Sequence, residues 1–227
     1  MKKVIVVAAA FFLVAALGSA APMCTSSATN VASAGFSCTL GGLTFSNFQV
    51  IAATAGTISP EVDLVSTSTA GGAVSLAFNP NISAPSTGAN QDVWLFYQVS
   101  GGVSSVAGTV GGVNATMTEH VCSIAFTSGH CPTADTLGGF TIFSAPGLNA
   151  GSASFANTGT VYLFKDISVS PTQPSPNGGG LTSFTQTITG GGGSGSGSGG
   201  EVPEPVSVIL MGSGLVALSL LRKVRKA

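Results

Sequence analysis

The residues with the most chemistry to offer lie in two short stretches, "EHVC" and "GHC", which hold His120, Cys122, His130 and Cys131. Two imidazoles and two thiolates would make a tetrahedral Cys2His2 zinc set. Against that reading, the spacing is not that of a zinc finger, and adjacent His130 and Cys131 make an awkward chelate. Oxidation competes for the same thiols. Cys24, Cys38, Cys122 and Cys131 are an even number in a chain with the marks of export, which reads as a disulfide framework whose connectivity sequence leaves open. The local pairs Cys24–Cys38 and Cys122–Cys131 are the chosen expectation, each contributing about 2–4 kcal/mol. One would tie down the start of the mature chain and the other would clip a loop. The histidines then belong to the surface, and no metal is expected.

Other catalytic patterns are weaker still. Nucleophilic catalysis needs a hydroxyl or thiol beside an oriented base, and no Gly-x-Ser-x-Gly elbow stands in a strand-to-helix setting, the "GSGSG" of the linker being low-complexity sequence. Glu61, Asp63, Asp92 and Glu119 offer carboxylates for glycoside hydrolysis, yet no spacing brings two of them together. No Asp-rich loop points to calcium. No catalytic, cofactor-binding or metal residue is assigned, and an enzyme is not expected. Lys165, beside Asp166 in the apolar "VYLFKDISV", has two readings: a partner for Glu119 or another carboxylate, or an exposed edge lysine that discourages strand-to-strand association. The edge lysine is preferred. Trp94, Tyr97 and Tyr162 are the rings suited to stacking on sugars, but Trp94 sits in the most apolar strand, and core packing is the preferred reading.

Composition narrows the class. The chain has 227 residues, of which 44% are hydrophobic and only 7% charged. Lys2 and Lys3 open it and Arg222, Lys223, Arg225 and Lys226 close it, so residues 21–200 hold Lys165 against six carboxylates. That stretch has no basic patch to neutralise phosphates, which argues against nucleic acid as a partner. The hydrophobic content argues for a folded domain rather than disorder.

Short runs rich in Val, Ile, Thr and aromatics alternate with Gly, Pro, Asn and Ser. They are "LTFSNFQVIA", "EVDLVST", "AVSLAF", "DVWLFYQVS", "VSSVAGTV", "ATMTEHVCSIAF", "TVYLFKDISVS" and "LTSFTQTIT". Eight or nine strands at this spacing predict an all-β fold, an antiparallel β-sandwich, over residues 21–189. "LTFSNFQVIA" keeps only a partial period of two. "VWLFYQV", apolar on both sides, suits a central strand covered on both faces. "SPTQPSPNGGG" reads as a loop between the last two strands. Residues 190–200, all Gly and Ser, form a flexible linker with a root-mean-square span of about 18 Å.

The two ends read as addresses. Residues 1–20 have Lys2 and Lys3, an apolar run over 4–17 and then Gly-Ser-Ala, the form of a secretory signal peptide cleaved between Ala20 and Ala21. Residues 201–227 begin with Val202-Pro203-Glu204-Pro205, continue with an uncharged run over 206–221, and finish with the basic Arg222, Lys223, Arg225 and Lys226. As a transmembrane helix, residues 206–221 reach about 24 Å, and the basic tail would remain cytoplasmic. This tripartite tail resembles the PEP-CTERM sorting signal of exported bacterial proteins, with Val206 where family members often carry a small residue. The resemblance implies recognition by an exosortase, a membrane-embedded cysteine transpeptidase-like enzyme. The chain would leave through the secretion machinery, be held transiently in the inner membrane by its C-terminal helix, and end at the cell surface or outside the cell. Family members occur in Gram-negative bacteria that make exopolysaccharide and biofilm.

"GFSCTLGGLTFSNFQV", "MTEHVC", "VYLFKDISVS" and "LTSFTQTIT" are also similar to successive landmarks of β-sandwich ectodomains common among PEP-CTERM proteins, a resemblance that implies fold rather than activity. The resulting expectation is a structural or adhesive surface protein without a cofactor. The alternative is a module that binds carbohydrate, such as exopolysaccharide.

Overall fold

Two long stretches of strand-forming sequence organise the domain. The computed structural model describes residues 21–25, 29–52, 61–80, 82–84, 90–127, 130–170 and 179–190. The expected signal peptide of residues 1–20, the expected linker beyond Gly190 and the whole of 201–227 lie outside the described residues. Val202, Pro203, Glu204, Pro205, the run over 206–221 expected as a transmembrane helix, and the basic tail therefore also lie outside them. Among the described residues, no helix is long and apolar enough to cross a membrane.

The fold is all-β. Its strands are β1 (Thr29–Asn30), β2 (Cys38–Leu40), β3 (Leu43–Ala52), β4 (Asp63–Ala70), β5 (Ala73–Asn79), β6 (Ile82–Ala84), β7 (Gln91–Val113), β8 (Ala115–Cys122), β9 (Thr136–Phe143), β10 (Ala150–Val169) and β11 (Gly179–Gly190). Their pairings are antiparallel and run β1-β4-β5-β11-β7-β10-β8-β9, with β3 also on β7, β2 on β3, and β6 on β11. "DVWLFYQVS" and "VSSVAGTV" are thus one 23-residue strand, and "TVYLFKDISVS" is the second half of the 20-residue β10. Strand β9 escapes a reading by composition because Gly138 and Gly139 interrupt its apolar residues. A Cβ on Gly139 would lie 2.5 Å from the Glu119 carbonyl oxygen, so the glycine permits close approach to β8.

The long strands bend. Gly101 and Gly102 in β7 have φ of +118° and +87°, a region that L side chains rarely adopt. Opposite them, the β10 register shifts between Ser154 and Thr160. Before the bend, β7 pairs with β3 and with the second half of β10; after it, with β11 and the first half of β10. The β7–β10 ribbon therefore belongs to two layers that face one another across the core. Tyr97, from the first half of β7, meets Phe78 of β5 with ring centroids 6.4 Å apart. Alternation supplies the interior: Val93, Leu95, Tyr97 and Val99 of β7 point inward and are buried, as are Val161, Leu163, Ile167 and Val169 of β10.

That alternation overturns two expectations. Lys165 is not an edge lysine: β10 is paired on both sides, and Lys165 shares the inward parity of Leu163 and Ile167 and is wholly buried. Trp94 is not a core residue either. It falls between inward Val93 and Leu95 and stands half-buried on the outer face. The outer face of "VWLFYQV" is only partly covered.

The bend gives a direct test. A Cβ on Gly101 would come within 2.5 Å of the Gly42 carbonyl oxygen, while one on Gly159 in β10 meets nothing within 4 Å. Gly101→Ala is expected to lower the unfolding free energy by about 2 kcal/mol or more, and Gly159→Ala to change it by less than about 1 kcal/mol. Urea unfolding of the two variants checks this, and equal effects would contradict the role of the bend.

Candidate functional site

A break in the β3 alternation begins the site. The β3–β7 register slips between Ser46 and Gln49, and Asn47 within the slip has φ +56°, which Asn tolerates better than most residues. The extra residue puts Phe48 rather than Asn47 against the core, where its ring stacks on Tyr97 at 5.0 Å between centroids. Asn47 is exposed on the outer face and its Nδ2 donates to Gln98 Oε1 at 2.8 Å. The partial period of two in "LTFSNFQVIA" is this bulge.

On the same outer face the register lines up aromatic side chains. Phe96 of β7 lies opposite Phe164 of β10, which lies opposite His120 of β8. Their rings stack in sequence, with centroids 4.6 Å and 5.8 Å apart. Trp94 stands edge-on to Phe96 and to Phe164, at 6.5 Å and 5.8 Å, an arrangement favoured by the aromatic quadrupole. Asp166, opposite Trp94 in the register, accepts a hydrogen bond from its side chain.

The cysteines complete one wall. The structure joins Cys24 to Cys38 and Cys122 to Cys131, with Cα atoms 4.8 Å and 6.0 Å apart. The second bridge closes the segment that carries Phe126, whose ring sits edge-on to Phe96 and to Phe164, each at 5.7 Å. Between this segment and β3 runs a groove of about 550 Å³ lined by Asn47, Gln49, Trp94, Gln98, Phe126 and Tyr162, among others. Its size is that of a small-ligand site, about 300–1,000 Å³.

Burial raises Asp166 above the ordinary carboxylate value, with the Trp94 hydrogen bond and the His120 charge acting in the opposite direction. Asp92, also on the outer face, is raised by burial and by the charge of Asp166.

A second polar cluster lies in the interior. Lys165 Nζ donates to Glu119 Oε2 at 2.5 Å and also to Gln186 Oε1 of β11, and all three residues are fully buried. The Tyr97 and Phe184 rings flank Nζ, with centroids at 5.9 Å and 5.7 Å. Burial pushes Lys165 below its usual value, opposed by Glu119. Burial, helped by the Glu119 charge, pushes the Tyr97 phenol well above its own. Glu119 Oε1, Gln186 Nε2 and the Tyr97 hydroxyl have no hydrogen-bond partner.

Of the residues read from sequence, Trp94 and Tyr162 come together at the groove, whereas the Tyr97 side chain belongs to the interior. Cys122 and Cys131 share a disulfide and are not thiolate ligands, and among the described residues no three His, Cys, Asp or Glu side chains converge on a common point. Ala21 lies beside β2, where Thr39 Oγ1 donates to its carbonyl at 3.5 Å. Phe96, Phe126, Phe164, Asn47, Gln49, Gln98 and Gln186 were missed. Asp166 and Gln98, at positions of outward parity, were the available signal for which side of β7 and β10 faces out.

No family model matches the chain, and no curated protein matches it. Among solved structures it is similar to the carbohydrate-binding module TmCBM61 in complex with β-1,4-galactotriose. The identity is 11%, the match covers 63% of this chain and 84% of that one, and the TM-score is 0.30. It is also similar to the K1 cleaved adhesin domain of Lys-gingipain from Porphyromonas gingivalis W83, at 10% identity over 73% of this chain and 98% of that one, with a TM-score of 0.36.

The raised Asp166 makes a pH prediction. The folded state holds its proton more tightly than the unfolded chain, so its contribution to stability is full below pH 3.8 and is lost as pH rises through the raised value. Asp166→Asn removes that loss and keeps an acceptor for Trp94. Calorimetry should show a higher thermal midpoint than wild type at pH 7 and little difference below pH 3.8. A gain of equal size at both pH values would contradict this account.

Proposed function

We propose that the chain is an exported binding protein that holds neutral polysaccharide in the outer-face groove and serves adhesion at the cell surface or in its matrix. The observation that carries this reading is the pairing of half-buried Trp94 and Tyr162 with the amide side chains of Asn47, Gln49 and Gln98 along one groove. Sugar rings offer apolar C–H faces that pack on aromatic surfaces, and their hydroxyls exchange hydrogen bonds with carboxamides, which both donate and accept. The edge-on contacts of Trp94 and its bond to Asp166 orient the ring before any ligand arrives, which lowers the entropy cost of binding. Lys165 is the one Lys or Arg among the described residues and it is buried, so the groove offers no cation to a uronate or sulfate. Neutral sugars fit this lining better. No hydrolytic role is assigned.

The same reading makes the chain an exosortase substrate. Its support is the order of Pro203-Glu204-Pro205, the apolar run and the basic end in residues 201–227. Two disulfides within a chain that opens with a signal-like sequence agree with an oxidising compartment.

Two experiments test these proposals. On an array of neutral and acidic glycans, wild type should be retained by neutral polysaccharides, and Trp94→Ala with its fold intact should bind about tenfold or more weakly. Retention by no neutral glycan, or equal retention of the variant, would overturn the groove reading. In an exosortase-competent host, the secreted form should begin at Ala21 and lack residues 206–227. Persistence of that tail would overturn the sorting reading.

A further inference from the structure

We propose that Lys165 and Gln186 become joined by an intramolecular isopeptide bond, formed with loss of ammonia under general acid–base catalysis by Glu119. The bond would tie β10 to β11 and so lock one layer of the domain to the other. This inference is independent of the groove and of sorting.

The argument starts from what these three side chains are placed to do. An amine, a primary carboxamide and a carboxyl group come from β10, β11 and β8 and meet in the core. Each is 0% exposed. Lys165 Nζ touches both of the others, so the nucleophile already lies against the carboxamide it would attack, and holding two reactants in contact removes most of the entropic barrier to their reaction. The surroundings are aromatic, with Tyr97 and Phe184 on either side of Nζ. As a purely structural cluster the arrangement is poorly satisfied: Gln186 Nε2 and Glu119 Oε1 have no hydrogen-bond partner. Leaving such groups unpaired in the interior costs free energy. As a reaction site the same atoms have roles, because Nε2 is the leaving group and Oε1 is a free oxygen to carry a proton.

The step balances without any further reagent. Proton transfer within the Lys165–Glu119 pair gives a neutral amine and a neutral acid, which a dry site favours over two buried charges. Burial lowering the Lys165 pKa acts in the same direction. The amine lone pair attacks Cδ of Gln186 while the acid supports the carbonyl oxygen as it gains charge. Glu119 then takes a proton from the attacking nitrogen and delivers one to Nε2. The Cδ–Nε2 bond breaks, ammonia leaves, and an Nζ–Cδ amide remains. Overall, the Lys165 ammonium and one primary amide become one secondary amide and ammonium: the departing ammonia carries away the proton that Glu119 took from Lys165 at the outset, and Glu119 is again the carboxylate of the starting ion pair. Exclusion of water protects the product from hydrolysis.

The bond would close a loop spanning a sequence separation of 21 residues. Cross-links of this kind restrict the unfolded ensemble much as a disulfide does, but resist reduction.

Mass spectrometry tests the proposal on the full chain. After complete reduction and denaturation, the wild-type protein should be about 17 Da lighter than calculated for its termini. Trypsin should fail to cut after Lys165, and chymotrypsin, which can cut at Phe164, Leu181 and Phe184, should release one branched fragment that joins the Lys165 peptide to the Gln186 peptide. Lys165→Met, Gln186→Leu and Glu119→Ala should each have their full calculated mass. The wild-type mass decides the matter even where a variant does not fold. Wild type at full mass, or a free Lys165 amine after denaturation, would overturn the proposal. A deficit of about 18 Da mapped to Lys165 and Glu119 would overturn the assignment to Gln186.

Discussion

Everything in this domain depends on the pairing of β7 with β10 and on the bend they share. A straight ribbon of this length would leave one flat sheet with an unprotected apolar face. Positive φ at Gly101 and Gly102, opposite the shifted register of β10, carries the same two strands from one layer into the other. Each half then recruits its own neighbours: β3 and β8 on one side of the bend, β11 and through it β5 on the other. Hydrogen bonds continue from layer to layer through the ribbon, while packing between Tyr97 and Phe78 draws the layers together.

The same ribbon separates two chemistries. Along β10, inward Leu163, Lys165 and Ile167 alternate with outward Tyr162, Phe164 and Asp166. The inward set includes one charged residue, placed where Glu119 and Gln186 reach it from a neighbouring strand and from the facing layer. The outward set, with Trp94, Phe96 and Gln98 of β7, makes an aromatic platform with polar margins. Disulfide Cys122–Cys131 acts on this face by restraining the segment that carries Phe126. The other bridge, Cys24–Cys38, fixes the start of the domain to β2.

Strand composition was legible from the sequence, because Val, Ile, Thr and aromatic runs between Gly, Pro and Asn leave few alternatives to an all-β fold. Register was not. In "VWLFYQV" both parities are apolar, so alternation cannot say whether Trp94 or Tyr97 faces the core. The answer comes from the neighbouring strands, and in particular from a bulge at Asn47 that appears in sequence only as a broken period. Lys165 was misread for a related reason. A lone lysine among apolar residues looks like edge protection until its partners are known, and Glu119 and Gln186 are distant in sequence. The cysteine pairs were easier, since each local bridge joins residues that the chain already keeps close.

The central claim is that the outer-face groove is a binding site for neutral sugars, and Trp94 makes it directly observable because it is the only tryptophan in the chain. The decisive measurement is a titration of Trp94 fluorescence with neutral and acidic polysaccharides and their oligosaccharides. The account predicts a saturable shift of the emission with at least one neutral glycan, and none with acidic ones. A glycan that binds the protein without disturbing Trp94, or a complete absence of saturable change with neutral glycans, would contradict it.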